Sequence, residues 1–100
     1  MSKDLSWNMY AGGTSAAEGK RSYDAHGWFG QFVINPPSVM RPRSGYSLQW
    51  ANSKGLLVTH THMGLWHDVG QGYRSPASAK AAAQAYIDKH LSGFRPKRSR

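Results

Sequence analysis

Ser75-Pro76-Ala77-Ser78-Ala79-Lys80-Ala81-Ala82-Ala83-Gln84-Ala85-Tyr86-Ile87-Asp88-Lys89-His90-Leu91-Ser92-Gly93 is the stretch whose reading decides the fold. Ser75 stands where a hydroxyl can accept a backbone N–H left free in a first helical turn. Pro76 suits the first helical position, where its missing N–H costs nothing. Gly93 is placed to take the left-handed conformation that closes a helix, and Lys89 and His90 suit the helix's negative end. Ala79, Ala82, Ala83, Tyr86, Ile87 and Leu91 recur at helical spacing on one side, opposite Lys80, Gln84 and Asp88. Six of the nine residues 77–85 are alanine, so that side carries little bulk of its own. It must lie close against a surface that supplies the bulk. Most of the large aromatics lie upstream, so the helix is expected to close over a sheet built from the earlier chain.

Working back from the helix, Tyr46–Ala51 is the cleanest strand, with Tyr46, Leu48 and Trp50 alternating with Ser47, Gln49 and Ala51. Asn52-Ser53-Lys54-Gly55 has turn chemistry, which makes Leu56–His62 the expected returning strand of a hairpin. Leu65–Val69 reads as a further short strand or its continuation, and residues 70–74 lead into the helix. Trp28–Asn35 is aromatic and β-branched enough for a strand. It puts Trp28, Phe32 and Ile34 on one face and Phe29, Gln31 and Val33 on the other, and Pro36-Pro37 ends it. Trp7–Tyr10 reads as a short strand; residues 16–27 show no clear period and read as loop. The fold class is therefore α+β: a small antiparallel sheet of three or four strands with one C-terminal helix packed on one face. Residues 1–94 form one domain, with 1–27 its least defined part, and 95–100 are a basic tail.

The hundred residues hold four Trp, five Tyr and three Phe, enough for a modest core, and no Cys, which excludes disulfides and thiolate metal sites. No run approaches the roughly twenty apolar residues of a membrane span, and the first residues lack the apolar core of a signal peptide. A cytoplasmic protein with no membrane partner is the expectation. Thirteen Lys and Arg face five Asp and Glu, a net charge of +8. Four of the basic residues fall in the last six positions; without them nine face five, a net of +4. A basic surface favours nucleic acid or a protein with an acidic groove.

Catalytic motifs are missing. Glu18 is the sole glutamate, the four aspartates are scattered without a useful pair, and neither a Gly-x-Ser-x-Gly elbow nor a phosphate loop is present. The chain reads as a non-enzyme without a cofactor. His60, His62 and His67 form a low-probability metal set, set against the simpler reading of a polar strand end facing water. The candidate binding residues are Arg41 and Arg43 in a proline-stiffened loop, Arg74 before the helix, and Arg95, Lys97 and Arg98 in the tail. Loop and tail arginines suit phosphate contacts that position a backbone without reading bases. Phe29 and Trp66, together with Val33 and Leu57, are expected on the sheet's second face. That apolar surface would be covered by the N-terminal segment or by a partner.

Gly27-Trp28-Phe29-Gly30-Gln31-Phe32-Val33-Ile34, a hairpin, and then Gly72-Tyr73-Arg74-Ser75-Pro76-Ala77-Ser78-Ala79 and the alanines through Tyr86 resemble the three-strand-plus-helix DNA-binding domain of plant ethylene-response factors, with relatives in phage integrases and homing endonucleases. The likeness covers about two-thirds of the chain. That family reads DNA with Arg and Trp on the exposed sheet face, whereas the strands here carry Gln31, Ser47, Gln49, Thr59 and Thr61. In its Trp-rich strands, late Ala-rich helix and lack of catalytic motifs the chain also resembles small bacteriophage accessory proteins, among them anti-CRISPR proteins and inhibitors of the host recombination nuclease. That resemblance implies a non-catalytic protein docking on a host complex that handles nucleic acid. The alternative is a small basic domain that contacts DNA or RNA phosphates directly.

Overall fold

The computed structural model describes residues 4–11, 19–52 and 66–96. Five strands form one antiparallel sheet: β1 (Asn8–Ala11), β2 (Arg21–Gly27), β3 (Gly30–Asn35), β4 (Tyr46–Ala51) and β5 (Trp66–Tyr73), in the order in which the chain makes them. One helix, α1 (Pro76–Tyr86), follows, continued by a π-helical turn at Ile87–Leu91 and a 3₁₀ turn at Ser92–Phe94. The α+β class stands, with five strands where three or four were expected.

The extra strand is β2, in a region that reads as loop. Its inward residues include Ala25, opposite Phe32 on β3, and Tyr23, opposite Ile34. A small residue beneath a large one leaves little hydrophobic alternation to see in the sequence, yet Ala25 is fully buried. The turn from β2 to β3 is made by Trp28 and Phe29, so the strand expected from Trp28 starts at Gly30 instead. The strand returning against β4 is β5; Leu56–His62, expected in that role, lies outside the described residues.

Directly paired residues in antiparallel strands share a face, and the pairs Phe32 with Trp50 and Ile34 with Leu48 place four large side chains under the helix. Ala79, Ala83, Tyr86, Ile87 and Leu91 close over them in one buried cluster. Small residues at 79 and 83 let the helix approach, and Tyr86 supplies the missing bulk, its ring 5.4 Å from Trp50 and 5.9 Å from Phe32. The Trp50 indole donates to the Phe29 carbonyl at 2.8 Å, so its polar atom is satisfied where water cannot reach.

The helix starts as its sequence demands: the Ser78 backbone N–H donates to Ser75 Oγ at 3.2 Å, and Pro76 is the first helical residue. Its end differs. The chain leaves through the π and 3₁₀ turns, and Gly93 is not among the glycines with positive φ. A wide turn at Ile87–Leu91 keeps both Ile87 and Leu91 buried in the core.

Beyond Arg95 the chain is described only through Pro96, and the two ends of the described chain are joined. Arg95 holds Asp4 with two hydrogen bonds, at 2.7 and 3.1 Å, and reaches Asp88 at 3.2 Å. Gln84 donates to Asp4 at 2.8 Å, and the Arg95 guanidinium lies over the Trp28 ring. The Asp4 carboxyl is held below the usual carboxylate range, chiefly by the Arg95 hydrogen bond and against the opposing effect of burial. The described N-terminal residues therefore pack beside the helix, with Leu5 and Trp7 against the core, and do not cover the sheet's second face.

Candidate functional site

In an up-and-down sheet, alternate connections lie at the same end. Here the entry to β2, the connection from β3 to β4 and the exit from β5 coincide: Asn35 pairs with Ser47, and Tyr46 with Tyr73. That end gathers Lys20, Arg21, Arg41, Arg43 and Arg74, all exposed. The three candidate arginines 41, 43 and 74 are thus brought together. Lys20 and Arg21, which look scattered along the chain, join them because β2 exists. Among the described residues the ion pairs are those of Arg95 with Asp4 and Asp88, so no described carboxylate neutralises this basic pole. Lys20 stacks its ammonium 5.9 Å from the Tyr46 ring centre, a contact that fixes the cation without neutralising it. Tyr46 itself is buried, and burial raises its pKa from the ordinary tyrosine value.

The loop from residue 36 to 45 is built rather than slack. The Arg41 N–H donates to the Ser38 carbonyl and the Ser44 N–H to the Arg41 carbonyl, each at 3.0 Å, giving two consecutive tight turns. Ser38 Oγ accepts from the Met40 N–H at 3.1 Å, a local bond that favours the first turn. Pro42 takes the second position of the second turn, where its fixed φ fits. Gly45 anchors the base of the loop: at φ +87° its backbone lies so close to β5 that an added Cβ would sit 2.7 Å from the Gly72 carbonyl carbon. The same contact ties Arg43, two residues before Gly45, to Arg74, two residues after Gly72.

The sheet's second face is polar. A cross-strand row runs Asn8, Asp24, Val33, Gln49, Asp68. Asn8 and Gln31 donate to the two oxygens of Asp24, and Asn35 donates to Gln49, which donates to Asp68 at 3.0 Å. Among the described residues, the apolar docking face expected from Phe29, Val33, Leu57 and Trp66 is not built. Phe29 is only 1% exposed because the β2–β3 turn folds its ring into the core against Phe32. Val33 sits among amides, Leu57 lies outside the described residues, and Trp66 is 49% exposed at the far end from the basic pole.

Arg95 is also far from the pole, tied to Asp4, Asp88 and Trp28, which makes it a brace between the ends of the described chain. Lys97 and Arg98 lie outside the described residues, as do His60 and His62. His67 pairs with Trp50 on the core side, its ring 6.4 Å from Tyr86. Among the described residues no three His, Cys, Asp or Glu side chains converge as metal ligands, and no helix is long and apolar enough to cross a membrane. The shifts of two further tyrosines have structural causes: burial pushes Tyr86 up to about 12, and burial and then Asp24 raise Tyr10. Compared with family models, with characterised proteins and with solved structures, the chain matches none.

Proposed function

We propose that the protein is a non-catalytic module that grips the phosphate backbone of a nucleic acid with its basic pole. The observation that carries this reading is the gathering of five cations at one end of a rigid sheet with no described carboxylate among their partners. Such an end concentrates positive potential, draws a polyanion in and releases its counterions on contact. Among the described residues the amide-and-carboxylate face carries no lysine or arginine, so contact is assigned to the pole and not to the sheet.

A salt titration of duplex binding tests this. Each neutralised phosphate contributes a slope of about 0.9 log unit of affinity per log unit of salt. Replacing Arg41 and Arg43 together by alanine is expected to lower the slope by about 1.8, the loss of two contacts. Absence of binding to any nucleic acid at low salt overturns the reading.

A second reading has one observation in its favour. Trp66, half exposed on the polar face, is the type of residue that anchors protein interfaces. On this reading the pole enters an acidic groove of a host nucleic-acid-processing complex, as a phage-type inhibitor would, and Trp66, at the opposite end of the sheet, anchors a second contact on the same partner. Capture of a stoichiometric partner by the wild type, lost in a Trp66→Ala variant, would favour it over direct nucleic-acid binding.

A further inference from the structure

The two turns between Ser38 and Ser44 carry residues that folding does not explain. Turn corners favour Gly, Pro, Asn, Asp and Ser, yet the corners of the first turn are Val39 and Met40, 53% and 84% exposed. Met40 buries almost nothing within the chain, and Val39 only about half of its surface. The corners of the second turn are Pro42 and Arg43, and Arg41 is shared by both turns. The result is a narrow finger with an apolar tip and cationic flanks, projecting from the basic pole. Local hydrogen bonds, Pro42 and the Gly45–Gly72 contact fix its shape before any partner arrives.

Resting on the reading of the pole as a phosphate grip, we propose that this finger enters the minor groove of duplex DNA and inserts Met40 as a wedge between base pairs, kinking the duplex. The minor groove, about 6 Å wide in undeformed B-DNA, has to open to admit the finger, and a kink at the wedge supplies that opening. Apolar wedges such as Met and Pro, flanked by Arg in the groove, are how architectural proteins unstack a step. Arg41 and Arg43 meet the groove's negative potential beside the wedge. The kink opens the minor groove and bends the duplex towards its major groove, so Arg74, Lys20 and Arg21, behind the finger, face the phosphates that rim the opened groove. The finger's rigidity means that little ordering entropy is lost on insertion. A-form RNA, with its wide and shallow minor groove, offers no such slot.

The test is energy transfer between dyes on the two ends of a duplex of about 30 base pairs, measured with anisotropy binding on the same samples at low salt. The wild type is expected to raise the transfer, with a kink in the range of about 20–90°, and to bind more tightly when a flexible TA step lies at the centre. Met40→Ala is expected to retain phosphate-driven binding and its salt slope but to lose the bend, and Met40→Leu to restore it. Met40 is exposed, so neither change threatens folding. Wild-type binding with unchanged end-to-end distance, or Met40→Ala bending as well as the wild type, overturns the wedge while leaving the phosphate grip in place. Failure to bind any duplex overturns both. Binding of anionic vesicles that depends on Met40, with no bending of DNA, assigns the tip to a lipid surface and overturns the wedge.

Discussion

Gly45 and Gly93 look alike in the sequence, each near the end of an element, but the backbone treats them differently. Gly45 sits at positive φ against Gly72, whereas Gly93 does neither and has open space where a Cβ would go. Gly45→Ala combines left-handed strain with a backbone clash and is expected to cost about 1–3 kcal/mol or more. Gly93→Ala is expected to be neutral or stabilising by up to about 1 kcal/mol, through a less free unfolded chain. Urea denaturation of both variants checks the pair, and a clear loss at Gly93 would restore the left-handed cap. Asp4 gives a pH signature. Its folded pKa is depressed by Arg95, so its contribution is present above the unfolded carboxylate value and is lost as pH falls through the folded one. Asp4→Asn is expected to melt lower than the wild type at about pH 7, with the difference shrinking towards about pH 2. A difference that stays constant with pH would show that the Arg95 contact is not what matters.

At the scale of elements, legibility followed the size of the inward residues. The alternation of Tyr46, Leu48 and Trp50 marked β4 to its ends, and Ser75-Pro76 marked the start of α1. β2 was hidden because its inward Ala25 contributes closeness rather than hydrophobic signal. β5 looks shorter in the sequence than it is because Gly70 and Gly72 resemble linker, while register shifts opposite Tyr46/Ser47 and Leu48/Gln49 break its period. For α1, Ser75→Ala removes the acceptor of the Ser78 N–H and is expected to cost about 1 kcal/mol. Ala83→Leu forces bulk between the helix and the sheet, where Ala83 is fully buried, and is expected to cost about 1–3 kcal/mol. Thermal melts of the two single variants check the closeness of the packing, and an Ala83→Leu variant that melts like the wild type would show that the helix stands further off.

Across the whole molecule, charge is sorted by topology. Lys20, Arg21, Arg41, Arg43 and Arg74 are spread over fifty-five positions of chain and meet only because each neighbouring strand runs back beside the last. Arg41, Arg43 and Arg74 could be nominated from sequence as separate candidates; their meeting point could not. Nor could the withdrawal of Arg95, whose partner Asp4 lies 91 residues away. Charge reversal at Arg43 is expected to slow association with duplex DNA by about tenfold or more at low salt, through lost steering, whereas reversal of exposed Lys89 beyond α1 leaves it nearly unchanged. Stopped-flow mixing at several salt concentrations checks this, and equal slowing by both reversals would mean that net charge, not the pole, does the steering.

The brace between Asp4 and Arg95 has an engineering consequence. Residues at opposite extremes of the described polypeptide are neighbours in space, so a short peptide could splice one to the other, and new ends could be opened elsewhere on the surface. A circular permutant cut within the finger would keep the five described strands and the helix while severing the apolar tip from its support. Such a rearranged chain would separate what holds the molecule together from what reaches out of it.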